Sequence, residues 1–198
     1  MKRKKMNSLL LVIGLILAIW ITLSIVVRKK GAERIAIIGS SINEYKALII
    51  YDPDPIYNLD EKISRSFAKG LAENEWLSIL STVAAAKEIR EKEQFDLYVF
   101  CANTYNWAPD KAIRDYVNND NHLKEKKVVA ITLGSGATKR SQRILEELIK
   151  EKGGRLIDSR EYWLMKPNNK SKTKRSNIKI AVEMANTFGK EIAKKIKN

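Results

Sequence analysis

Five short apolar runs, separated by stretches of helical period, restrict what this chain can become. They are "KALIIY" (46–51), "WLSILS" (76–81), "FDLYVFCA" (95–102), "KKVVAITL" (126–133) and "RLIDSREYWL" (155–164). Each has the length of a strand. Most lack the polar alternation of a half-exposed sheet, which implies burial on both faces and hence parallel strands covered by helices. The intervening segments supply those helices. Leu59, Ile63, Phe67 and Leu71 fall four apart on one stripe, and "VAAAKEIREKEQ" (83–94) reads as a second, shorter helix. A third is expected to open at Pro109 and run to about Asn118, because proline is tolerated in a first helical turn. A fourth covers 139–152 and stops at Gly153–Gly154. The last, from about Ser176 to Lys195, buries Ile178, Ala181, Ala185, Phe188 and Ile192. Right-handed crossovers then leave few arrangements. The expected fold is α/β, a five-stranded doubly wound parallel sheet of order 2-1-3-4-5.

The sheet needs only residues 46–198. Ahead of it, "LLLVIGLILAIWITLSIVV" (9–27) carries no charge and would span about 28 Å as a helix, close to the hydrocarbon thickness of a bilayer. Residues 1–30 are therefore expected to be a membrane anchor, with one transmembrane helix at about 9–27. The lipid bilayer would be a partner and the chain a single-pass membrane protein. No small-residue cleavage site follows the run, as a removable signal would require. Lys2 to Lys5 favour a cytoplasmic N-terminus and an exported domain, whereas Arg28, Lys29, Lys30 and Arg34 oppose it; the balance leans to the first. Residues 31–45 form a juxtamembrane segment in which "RIAIIG" reads either as an added edge strand or as a connector. Half of the net charge of +14 lies in residues 1–30. The rest favours anionic surroundings, and "KPNNKSKTKR" (166–175) reads as a solvated basic loop or a lipid-facing patch. There is no nucleic-acid recognition motif, so no nucleic-acid partner is expected.

The chemistry available to side chains is narrow. One Cys and one His exclude an intrachain disulfide, a cysteine-based zinc site and a histidine cluster. Cys101 reads as a small core residue and His122 as solvated. No catalytic residue and no metal ligand is assigned. Ligands of an open α/β sheet bind at the carboxyl ends of the strands, at the switch point. For this strand order three loops converge there: 52–58, 103–108 and 134–138.

At these loops the chain resembles the flavodoxin-like superfamily, which includes flavodoxins and flavodoxin-fold NAD(P)H-dependent oxidoreductases. The resemblance covers about residues 46–195. It rests on the first strand–loop–helix unit, on "FDLYVFCANTYNWAPDKAIRDYV" and on "KKVVAITLGSGATKRSQRILEELIKEKGG". It implies FMN and electron or hydride transfer. Asn103, Thr104, Tyr105, Asn106 and Trp107 would then flank the isoalloxazine ring on one side, and Gly134, Ser135 and Gly136 on the other. Tyr105 and Trp107 offer faces on which a flat heterocycle can stack, and the small residues let backbone amides approach a ring edge. Those two aromatics can equally cap the sheet and pack on the following helix.

The first loop, "DPDPIYN" (52–58), departs from the resemblance. Pro53 and Pro55 have no N–H to give a phosphate, and Asp52 and Asp54 are anions. Asn58 and Glu61 are spaced as a capping box that would answer the helix terminus internally. Tyr57 and Asn58 remain candidate ligand contacts. Two functions are therefore expected. One is a membrane-anchored flavodoxin-like protein with FMN-dependent electron transfer or NAD(P)H oxidoreductase activity, passing electrons from a pyridine nucleotide or redox protein to a quinone-like acceptor. The other is a flavin-free flavodoxin-fold scaffold that binds a partner at the membrane.

Overall fold

The computed structural model describes residues 2–26, 32–54, 57–169 and 175–197. Helix α1 (Lys2–Val26) is followed by β1 (Ile35–Ile38), β2 (Tyr45–Tyr51), α2 (Leu59–Ala72), β3 (Trp76–Thr82), α3 (Val83–Lys92), β4 (Leu97–Tyr105) and β5 (Ala108–Pro109). Then come α4 (Lys111–Asn118), β6 (Lys127–Gly134), α5 (Lys139–Glu151), β7 (Arg155–Trp163) and α6 (Asn177–Lys197). The parallel strands run in the order β3-β2-β4-β6-β7, which is the doubly wound order expected for five strands. The sheet differs from that expectation in having seven strands. β1 lies antiparallel on the outer side of β3, with Ile35 opposite Ser81. Of the two readings of "RIAIIG", the edge strand is the one found. β5 pairs with the end of β4 as a hairpin.

Successive residues of β2 point into opposite cores. Ala47, Ile49 and Tyr51 join the cluster under α2 and α6, built on Phe67, Trp76 and Phe188. Leu48 and Ile50 join the cluster under α3, α4 and α5, with Phe100, Ile113 and Leu145. This two-sided burial is what the unbroken apolar runs required. Helices α2 and α6 cross closely: a Cβ on Gly70 would stand 2.0 Å from the Asn186 carbonyl oxygen, and one on Gly189 would stand 2.2 Å from that of Phe67.

The N-terminal expectation is corrected. Among the described residues no helix is long and apolar enough to cross a membrane. The single-pass anchor, and the sidedness argument built on it, are set aside. The central part of the basic loop, 170–174, lies outside the described residues. A smaller correction concerns Pro109, which is in β5 opposite Thr104 instead of opening α4. The N-cap of α4 is Asp110, whose carboxylate accepts the Ile113 N–H at 2.8 Å.

Candidate functional site

The carboxyl ends of β2, β4 and β6 meet at the switch point, and two corners of different chemistry face each other there. The first is tied together by carboxylates. Asp52, which is buried, directly follows β2, and Asp54 lies two residues on. α2 begins after Asn58, which adopts a left-handed conformation (φ 49°) and makes no side-chain bond to the helix amides. The expected capping box is not formed: the Asn58 amide instead donates to the Glu61 carboxylate at 3.1 Å, side chain to side chain. The carboxylate that ties this corner together is Asp60, which is fully buried in the first turn of α2. Its Oδ2 accepts the Asp54 N–H at 2.8 Å and the Asn103 Nδ2 at 3.2 Å.

Asn103 is the knot of this corner. Its Nδ2 also donates to the Asp52 carbonyl at 3.3 Å. Its backbone N–H donates to the Asp110 carboxylate at 2.9 Å, and its carbonyl accepts the Asp110 N–H at 2.8 Å. Asp54 in turn accepts from Tyr57 N at 3.3 Å and from Tyr105 Oη at 3.4 Å. Burial pushes the Asp60 carboxyl up to about 6, although the Glu61 and Asp54 amides and Asn103 favour its charged form. Burial pushes Asp110 further, to about 8, with Asp52 and Asp60 adding repulsion. The Tyr105 hydroxyl is raised by burial and by Asp54, Asp110 and Asp60. Among the described residues no group of three or more His, Cys, Asp or Glu could hold a metal ion.

The second corner is built from small residues and backbone bonds. Gly134 has no room for a side chain: a Cβ there would meet Thr138 Cγ2 at 2.6 Å and Thr104 Cβ at 3.2 Å. The end of β7 is stitched onto this loop. Leu164 N–H donates to the Gly134 carbonyl at 2.8 Å, and Met165 and Lys166 donate to that of Ser135 at 3.1 and 3.0 Å. The Trp163 indole N–H donates to Thr138 Oγ1 at 2.7 Å. Asn168 and Asn177 lock the turn that follows by bonding the Trp163 carbonyl at 2.7 and 2.8 Å.

Between the corners lies a cleft of about 200 Å³. Of the ten residues singled out from sequence, the structure brings Tyr57, Asn103, Thr104, Tyr105, Gly134 and Ser135 together around it. Asn58 turns to Glu61, and Gly136 packs under Lys166. Asn106 and Trp107 form the tip of the β4–β5 hairpin, where Trp107 is 61% exposed and both residues have positive φ. Asp54, which the sequence set against a ligand phosphate, lines the cleft; sequence reasoning missed Leu59 as part of the wall, and it missed Leu164 and Met165 altogether. The signal for Leu164 was present. "WL" closes the fifth strand, and the end of any strand in this sheet faces the ligand edge.

Set against solved structures, this architecture has many counterparts. A WrbA-like flavodoxin from Agrobacterium tumefaciens superposes with a TM-score of 0.58 at 13% identity, over 78% of this chain and 98% of that one. Flavodoxin 1 from Bacillus cereus gives 0.57 at 18% identity, over 75% and 97%. The fold is flavodoxin-like. An azoreductase from Bacillus anthracis shares it, with a TM-score of 0.54 at 11% identity over 74% and 99% of the two chains. No protein-family model matches the chain, and no curated protein matches it in sequence.

Proposed function

We propose that this chain is a flavin-binding redox protein that holds the flavin ring in the cleft at the carboxyl ends of β2, β4 and β6. The carrying observation is the convergence of Tyr57, Asn103–Tyr105 and Gly134–Ser135 on one cleft, although they come from three separate strand–helix junctions. The neighbours named as flavodoxins and azoreductase support the reading through fold alone. A bound flavin would supply the electron or hydride transfer. The chain's own part is to position the ring. Tyr57 and Tyr105 supply aromatic surface, Gly134 allows close backbone approach, and Leu164 and Met165 form an apolar wall. The reaction class that suits this arrangement is NAD(P)H- or protein-driven reduction of a quinone-like acceptor, with no side-chain acid–base pair required.

FMN fits this site only in part. The ring end is matched by the cleft, whereas the first turn of α2 already holds the Asp60 carboxylate. That second observation favours the alternative reading, a flavin-free scaffold acting through a protein partner. Titrating the full-length protein with riboflavin and with FMN decides between them. Quenched flavin fluorescence with a perturbed visible spectrum supports the redox reading. Failure of both flavins to bind at millimolar concentration leaves the scaffold. Within the redox reading, Tyr105→Ala is expected to weaken flavin binding by about 1–2 kcal/mol.

A further inference from the structure

We infer that Asp60 is a built-in anion that occupies the place a ligand phosphate would take, so that the site selects flavins lacking a terminal phosphate. The inference rests on the flavin reading above and specifies its ligand class. A helix N-terminus presents unsatisfied N–H groups, which phosphates use as a binding site. In this chain the loop before α2 and the end of β4 direct donors onto a carboxylate in the first turn of that helix, and the Glu61 amide faces it as well. Asp60 Oδ2 takes the Asp54 N–H at 2.8 Å from the loop and Asn103 Nδ2 at 3.2 Å from the end of β4. The carboxylate is completely buried, so it is a fixed part of the corner and not a mobile surface group.

Pro53 and Pro55 have no N–H by their chemistry. Among the described residues the Tyr57 N–H is given to the Asp54 carboxylate, and the Asn58 side chain is given to Glu61. An incoming phosphate would have to displace Asp60 from its donors and then lie against Asp52 and Asp54. A neutral ribityl tail meets neither obstacle. Asp60 thus acts as a specificity-determining residue: it ties the loop to the end of β4, and it excludes the phosphate.

The test is a flavin titration of the full-length protein and two variants, followed by fluorescence quenching, with inorganic phosphate binding followed by phosphorus NMR. The native protein is expected to bind riboflavin and FMN with dissociation constants within about threefold, since no phosphate contact contributes. Asp60→Ser removes the resident anion and adds a hydroxyl donor. It is expected to tighten FMN binding by about tenfold to a hundredfold with riboflavin nearly unchanged, and to gain phosphate binding that the native protein lacks. Asp60→Asn keeps the size of the side chain and removes its charge. It should move FMN in the same direction by less, and it serves if the serine variant does not fold. Native preference for FMN over riboflavin by more than tenfold would overturn the inference while leaving the flavin reading intact. If neither flavin binds, the flavin reading fails, and the phosphate measurement still judges Asp60: phosphate bound by the native protein counts against it, and phosphate bound only by a variant supports it.

Discussion

The two corners of the cleft solve the same problem in opposite ways. Each must end a buried strand, turn the chain and start a helix without leaving buried polar groups unpaired. The corner at 52–60 does so with charge. Its turn has no glycine, Asn58 takes the left-handed conformation instead, and carboxylates accept the loose N–H groups. The corner at 134–138 does so with close backbone approach. Glycine lets the loop lie against Thr104 and Thr138, and the end of β7 pairs with its carbonyls. The charged corner gives the Asp54 and Tyr57 N–H groups to its own carboxylates and so withholds them from an anion, although among the described residues Asn58 Oδ1 and Asp60 Oδ1 stay without a hydrogen bond. A glycine corner keeps its surface accessible. The comparison predicts which perturbations should act on one corner and spare the other.

The largest difference should come from pH. Asp110 has its carboxyl raised to about 8, from an ordinary value of 3.8, and Asp60 to about 6. Between those folded values and the ordinary one, the folded chain holds protons that the unfolded chain has released. Stability is then highest below about pH 4 with respect to these groups and falls as pH rises, the Asp60 part being lost by about 6 and the Asp110 part by about 8. The groups facing Asp110 are Asp52, Asp60 and the amides of Asn103 and Ile113. Calorimetric melting of the native protein and of Asp110→Asn from pH 5 to pH 9 measures this directly. The native melting temperature should drop with rising pH and the variant should follow a flatter line. Parallel lines would show that Asp110 does not titrate in this range.

Substitutions that break each corner come next. Asn103→Ala removes the donor shared by the Asp60 carboxylate and the Asp52 carbonyl. Leaving a buried carboxylate short of a partner is expected to cost about 3 kcal/mol, and to raise the pH sensitivity further. Gly134→Ala places a Cβ against Thr138, whose hydroxyl is engaged with Trp163 and Glu161. Overpacking there is expected to cost about 2 kcal/mol without changing the pH slope. Urea denaturation at pH 6 and pH 8 separates the two. If Gly134→Ala alters the slope as much as Asn103→Ala does, the corners are one coupled unit and the contrast drawn between them fails.

The sheet was legible in the sequence because burial on both faces leaves apolar runs that no other element needs. The cleft was legible in part, since strand order dictates which loops meet. What escaped the sequence were hydrogen bonds between distant residues. Nothing in the periodicity of 52–71 indicates that Asp60 turns inward to Asn103, 43 positions away. Local spacing instead favoured the Asn58–Glu61 capping box, and tertiary partners won. Pro109 was misplaced for a similar reason: it fits a first helical turn, but Asp110 is the better cap and frees Pro109 to pair with Thr104. The run 9–27 was read as a membrane span from its apolar composition alone, and among the described residues no helix is long and apolar enough to cross a membrane.

The smallest effect lies at the hairpin tip beside the charged corner, where sequence and conformation disagree. Tyr105 pairs with Ala108, so Asn106 and Trp107 form a two-residue turn with φ of 51° and 60°. Such turns favour glycine at the second position, because positive φ crowds a bulky side chain. Trp107 gains little burial in exchange, being 61% exposed. Strain of this kind persists where the residue serves something other than folding, and its neighbour Tyr105 lines the cleft. Trp107→Gly is therefore expected to stabilise the fold by about 1 kcal/mol and to weaken riboflavin binding by about the same amount through lost aromatic surface. Thermal melting and flavin titration of one variant measure both. A higher melting temperature with unchanged affinity would separate Trp107 from the flavin, while an unchanged melting temperature would mean that the turn relaxes around its tryptophan without cost.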